Sequence, residues 1–191
     1  TNPSLMLKAG KDPREVLKEI SDIFPFHASV SAEVVGDSVE EMLEMADDYI
    51  EIGPNITIKV PLTPEGLKVC KDLSTDDVAV NVTLCFSTAQ AILAAKAGAT
   101  YVSPFVGRVY DQQFDGIQLI EEISDVYATH KQKTQILAAS IRDVHQVASC
   151  FRVGADICTI PDKIFSGMYK HILTDQGLKK FDEDWSKLVG G

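Results

Sequence analysis

None of the four cysteines, Cys70, Cys85, Cys150 and Cys158, forms a Cys-x-x-Cys pair with another. Such spacing excludes the common zinc and disulfide frameworks, and the expectation is buried, reduced thiols in a cytoplasmic protein. Four histidines, His27, His130, His145 and His171, are scattered without the spacing of a ligand set or a triad. No apolar run is long enough to span a bilayer, and no secretory signal pattern is present. Positive charge is short: 18 Lys and Arg against 28 Asp and Glu give a net charge of −10. A broad basic surface for nucleic acid or anionic lipid is therefore excluded, although a few inward basic residues still suffice for an anionic small molecule. No Gly-x-Gly-x-x-Gly or Walker loop follows any strand-like run, which argues against a nucleotide-binding open sheet. Internal repeats and low-complexity linkers are missing too.

What is there is a rhythm. Strand-length runs rich in β-branched residues, at 27–34, 55–60, 78–83, 100–105, 135–140 and 156–160, alternate with amphipathic stretches. The stretches carry start signals. Asp12-Pro13-Arg14-Glu15 sets an N-cap, a first-turn proline and a capping-box glutamate in order. Ser38-Val39-Glu40-Glu41 repeats the box, and Thr63-Pro64-Glu65 repeats the cap and proline. Asp115 precedes a helix over 117–130 whose apolar positions Ile117, Ile120, Ile123 and Tyr127 fall at helical spacing. Gly98 and Gly154 stand where helices must stop before the next strand. The stretch 174–188 reads as a C-terminal helix bearing the only tryptophan, Trp185.

Alternating strand and helix imply a parallel sheet, closed or open. Without phosphate loops the closed form is favoured: an α/β, (β/α)₈ TIM barrel forming one domain over residues 1–191. Six strands are read where eight are needed. The chain starts at Thr1-Asn2-Pro3-Ser4, so the first two strands are expected upstream, in roughly 25–30 further residues of the native protein.

In such a barrel chemistry collects at the C-terminal ends of the strands. Those ends carry Glu33, Lys59, Asn81 with Thr83, Ser103 with Phe105 and Arg108, and Ser140 with Arg142. This content suits a polyhydroxylated phosphate ester. In Ile56-Thr57-Ile58-Lys59-Val60-Pro61 a lysine interrupts an apolar strand. Either it reaches to solvent from the strand end, or apolar walls disfavour the ammonium and leave a free amine to attack a carbonyl. Glu33 stands in an equally apolar run, as a surface glutamate or as a proton-exchange partner for Lys59, with Thr83 as a third party to a shared water. Ser140-Ile141-Arg142-Asp143 closes a strand and opens a helix, whose N-terminus together with Arg142 and a loop-borne Arg108 makes a phosphate clamp. The alternative is a capping serine and two solvated arginines.

Three motifs in order, Ile58-Lys59-Val60-Pro61, Val102-Ser103-Pro104-Phe105-Val106-Gly107-Arg108 and Ala138-Ala139-Ser140-Ile141-Arg142, resemble the class I transaldolases. The likeness is to the small subfamily that also holds the fructose-6-phosphate aldolases, and it runs from Thr1-Asn2-Pro3-Ser4 to Phe181-Asp182-Glu183-Asp184-Trp185. The resemblance implies that Lys59 forms a Schiff base while Glu33 and Thr83 hold a proton-shuttling water. Asn2, Asn81 and Ser103 would bind hydroxyls of a dihydroxyacetone unit, and Arg108, Ser140 and Arg142 the phosphate. In the family an aspartate on a strand preceding Thr-Asn-Pro-Ser handles the sugar C4 hydroxyl proton, and neither that strand nor its successor is in these residues. The implied reaction moves dihydroxyacetone from fructose 6-phosphate or sedoheptulose 7-phosphate to an aldose phosphate, as in the pentose phosphate pathway, without metal or organic cofactor. Partners are then sugar phosphates and further copies of the chain in a ring, a decamer among the sizes considered, with no nucleic acid or membrane. Rival readings are a fructose-6-phosphate aldolase releasing dihydroxyacetone, and a non-catalytic sugar-phosphate-binding barrel. The aldolases typically carry glutamine at the place of Glu33 and tyrosine at that of Phe105, so this sequence has the transaldolase identity at both.

Overall fold

Every strand-length run finds a parallel partner in the next one along the chain, which follows from the helical stretch between each pair. The structure is a computed structural model and describes residues 1–24 and 27–190. Six strands form one continuous order among the described residues: β1 (Val30–Glu33), β2 (Ile56–Pro61), β3 (Val80–Cys85), β4 (Tyr101–Pro104), β5 (Gln135–Ala138) and β6 (Ile157–Cys158). All five neighbouring pairs are parallel. This is an α/β fold with a partial-barrel sheet.

The N-caps form as read, although no hydrogen bond from the Asp12 N–H to the Glu15 carboxylate completes the first box. Asp12 accepts from the N–H groups of Arg14 and Glu15 at the head of α2 (Pro13–Ile23), and α1 (Pro3–Ala9) precedes it. Ser38 caps α3 (Val39–Ile50) through the Glu41 N–H, while the Glu41 carboxylate returns to the Asp37 N–H. Thr63 caps α4 (Pro64–Thr75), and Ser87 caps α5 (Thr88–Lys96). Gly98 and Gly154 have φ of +93° and +102°, where a side chain would be strained, and each lies in the turn that ends a helix before the next strand. Asp115 caps α7 (Gly116–Thr129), and α10 (Ile172–Val189) is the expected C-terminal helix, preceded by α9 (Asp162–Met168).

Two local expectations are corrected. Arg108 is not on a loop: it lies on α6 (Val106–Asp111), a helix of six residues that begins directly after β4. Ser140 does not open a helix either, because α8 (Val144–Arg152) starts later, with Asp143 as its cap and the Gln146 N–H as donor. Ser140 instead turns the chain with φ +60°.

The sheet has two unlike faces, as a period of two demands. Val30, Ala32, Ile58, Val60, Val80, Val82, Val102 and Ile136 are buried and belong to the core shared with the helices. The intervening positions carry Ser31, Glu33, Thr57, Lys59, Asn81, Thr83 and Ser103. The polar face is concave. Asn81 Nδ2 on β3 donates to Ser31 Oγ on β1 at 3.2 Å, across the intervening β2. Strands two apart in a flat sheet are separated by roughly 9.5 Å, so this contact requires curvature toward the polar side.

Candidate active site

Sheet register brings the polar side chains together. Glu33, Lys59 and Asn81 are aligned across β1, β2 and β3, and Thr83 is level with Pro61. Lys59 Nζ donates to Glu33 Oε2 at 2.8 Å and to the Thr1 carbonyl at 3.3 Å. The lysine is 9% exposed, on the face opposite Ile58 and Val60, its fully buried neighbours along the strand. Such a pair sits where water screens it little, so its geometry rather than chance contact holds it.

Asn81 is the centre of a hydrogen-bonded row. Its Oδ1 accepts from Ser103 Oγ at 2.6 Å on β4, and its Nδ2 donates to Ser31. The amide is thereby fixed in orientation, held from β1 on one side and from β4 on the other. Thr83 is fully buried, and its hydroxyl is a buried side-chain polar atom without a hydrogen-bond partner. A buried hydroxyl left unpaired costs about 1–3 kcal/mol. Beside it the ladder slips: Val82 pairs with Val102, but Cys85 pairs with Pro104, so β3 carries one residue more than β4 there. Leu84 takes φ +58° in this bulge. Bulges and left-handed bulky residues concentrate where a side chain must be re-aimed. The orphaned Thr83 hydroxyl at the strand end is the group so placed.

Asn2 is N-cap of α1, its Oδ1 accepting from the Leu5 N–H at 2.9 Å. Asn2 and Glu33 line one cleft with Thr1, Val35 and Tyr49. That places Asn2 on the carboxylate side of the Lys59 pair, with its amide nitrogen unengaged by the cap.

Arg108 and Arg142 meet in another cleft, lined also by Phe86, Phe114, Asp111 and Gln112. The Arg108 guanidinium stands 4.9 Å from the centre of the Phe105 ring, and Phe105 lies against Phe86 at 5.5 Å. Arg142 Nη2 reaches the Asp111 carboxylate at 2.6 Å, and its N–H donates to Gln146 Oε1. Ser140 lies under this cleft rather than in its lining: a Cβ on Gly107 would come within 2.0 Å of the Ser140 carbonyl and 2.7 Å of Arg142 Nε. Only glycine admits that approach of α6 to the turn after β5.

Ser31, Phe86 and Asp111 touch the candidate residues Asn81, Phe105 and Arg142 and are absent from the strand-end reading of the sequence. Ser31 was within reach of it, since residues two apart on a strand share a face and Glu33 is already marked. Asp111 was not, because its partner is 31 residues away. No group of three or more His, Cys, Asp or Glu side chains among the described residues is placed to hold a metal ion. No helix among them is long and apolar enough to cross a membrane.

A family model described as transaldolase/fructose-6-phosphate aldolase matches residues 1–191. A probable transaldolase of Paracoccus denitrificans is 53% identical over 187 residues, covering 98% of this chain and 85% of its own. One of Cereibacter sphaeroides is 52% identical, covering 98% of this chain and 84% of its own. One of Caulobacter vibrioides is 47% identical over 186 residues, covering 97% and 85%.

Proposed function

The chain belongs to the transaldolase/fructose-6-phosphate aldolase family, and on that footing we propose that it is a class I transaldolase with Lys59 as the Schiff-base amine. The observation that carries the proposal is a lysine ammonium held inside an apolar strand by one carboxylate, Glu33 at 2.8 Å. Lys59 gives its proton to Glu33 and attacks the C2 carbonyl of fructose 6-phosphate or sedoheptulose 7-phosphate. The carbinolamine loses its hydroxyl as water, with the proton returned from Glu33 through a water that the free Thr83 hydroxyl also holds. The iminium draws electrons as the C3–C4 bond breaks and the C4 hydroxyl passes its proton to the carboxylate of the aspartate that the family resemblance assigns to that step. The aldose phosphate departs, and a dihydroxyacetone enamine stays on Lys59 until an acceptor aldehyde forms a new C3–C4 bond. Hydrolysis then frees the amine.

Asn2, Asn81 and Ser103 take the hydroxyls of the three-carbon unit. The Ser31–Asn81–Ser103 row supports this, because its fixed amide is pre-organised for a polyol. Arg108 and Arg142, with Ser140 at the turn beneath them, take the phosphate. We read the sheet as part of an eight-stranded closed barrel, residues 1–191 as one domain, and the protein as a cytoplasmic member of the pentose phosphate pathway. The apolar side chains of α10, Phe181, Trp185 and Leu188, are each more than 60% exposed, and we assign them to a neighbouring copy in a homo-oligomeric ring.

Aldolase activity is the second reading, kept because the family name covers both reactions. Phe105, tilted against Phe86 and beneath Arg108, favours transfer: a ring without a hydroxyl does not hold a water to hydrolyse the intermediate. Glyceraldehyde 3-phosphate formed from fructose 6-phosphate should depend on added erythrose 4-phosphate. Equal rates with and without that acceptor would make the enzyme an aldolase.

A further inference from the structure

Two guanidiniums face one cleft, yet only one of them is tied to an acid. Arg142 Nη2 donates to the Asp111 carboxylate at 2.6 Å, with both side chains about half exposed. Arg108 makes no ion pair among the described residues and stacks on Phe105 instead. At first sight Asp111 is an obstacle, since a carboxylate beside an anion site repels the anion. Its placement says otherwise. The Arg142 stem crosses the first turn of α6, where the absent Cβ of Gly107 leaves room for Cγ and Nε. Four residues on, at the last position of the same helix, Asp111 takes the far nitrogen. The long side chain is thus held at two points of one rigid element, and its own N–H is held by Gln146.

We propose that Asp111 is a positioning residue for Arg142: it occupies one edge of the guanidinium so that the remaining donors are presented, already ordered, to the phosphate of the substrate. This rests on the proposed phosphate-binding role of Arg142, which the phosphate titration below tests apart from turnover. The physical gain is conformational. A free arginine loses rotamer freedom when it grips a ligand, whereas one already held by Asp111 loses little. Asp111 repulsion of the anion is weakened by solvent at a half-exposed position, so ordering outweighs it.

The test is a double-mutant cycle with the wild type, Asp111→Ala, Arg142→Ala and the double variant, all in the full chain. Two quantities are measured: the dissociation constant of inorganic phosphate by calorimetric titration, and KM with kcat for fructose 6-phosphate. Asp111→Ala should weaken phosphate binding and raise KM roughly three- to tenfold, the size expected for one side chain left unordered. The effect should fall on KM rather than kcat, and should vanish in the Arg142→Ala background. An Asp111→Ala change of the same size in both backgrounds, or tighter phosphate binding on losing the carboxylate, overturns the proposal. Absence of turnover in the wild type would count against the transaldolase reading alone, because the phosphate titrations still decide the role of Asp111.

Discussion

Lys59 Nζ and Glu33 Oε2 lie 2.8 Å apart on neighbouring strands, with side chains only 11% and 13% exposed. Removing Glu33 leaves a shielded amine with the longer bond to the Thr1 carbonyl and no carboxylate. Glu33→Ala should lower stability by about 1–3 kcal/mol, the cost being limited because the Thr1 carbonyl still accepts from Lys59 Nζ. Turnover of fructose 6-phosphate should fall by about 100-fold or more, as expected when an acid–base group is lost. Glu33→Gln keeps the shape and a hydrogen-bonding oxygen, so it should recover most of the stability and less of the rate. Thermal unfolding and steady-state kinetics check both, and equal activity for all three proteins would remove Glu33 from the proton relay.

Phe105→Tyr introduces a hydroxyl beside Phe86 and Arg108. It should raise acceptor-independent release of dihydroxyacetone from fructose 6-phosphate several-fold while lowering acceptor-dependent transfer. A coupled assay for free dihydroxyacetone reads the change, and no increase would mean that Phe105 does not keep water out.

Gly107→Ala drives a methyl group to within 2.0 Å of the Ser140 carbonyl, far inside van der Waals contact. Backbone must move, at a cost of about 1–3 kcal/mol. Because the moving parts are α6 and the turn after β5, phosphate affinity should drop with stability. A variant with unchanged melting temperature and unchanged KM for fructose 6-phosphate would contradict the close approach.

The thiols should differ in reactivity. Burial pushes Cys70 and Cys85 up to about 12 and holds them as thiols at neutral pH. Cys158 is half-buried, and a hydrogen bond from Cys150 lowers it, while Cys150 is raised by the same contact and by burial. Since the thiolate is the nucleophile, Cys158 should react first with iodoacetamide at pH 8, and Cys70 and Cys85 only on unfolding. Peptide mapping after timed alkylation gives the order, and early labelling of Cys85 would show that β3 opens readily.

Most of the candidate site's grouping was legible because strand periodicity is local. A lysine at Lys59 or a glutamate at Glu33 breaks an apolar alternation within a few residues, and the parallel register then carries the two side by side. Helix starts at Asp12, Ser38, Thr63 and Asp115 were equally local, being fixed by a cap and its first turn. The helix after Phe105 was not, since no side chain caps it and it is six residues long. At its start the Val106 N–H donates to the Ala139 carbonyl and Gly107 lies close against Ser140, tertiary contacts that no window of sequence contains. The pairing of Arg142 with Asp111 was hidden for the same reason. The short β6 reflects competition: the Asp156 side chain takes the Ile136 N–H, and Pro161 ends the run that 156–160 suggested.

The central claim is that Lys59 is the amine that becomes covalent with substrate. Borohydride reduction in the presence of fructose 6-phosphate, followed by digestion and mass spectrometry, measures this directly. The account predicts a stable three-carbon adduct on the peptide containing Lys59, formed by the wild type and lost in Lys59→Ala. An adduct on another lysine, or one that persists in Lys59→Ala, would contradict it.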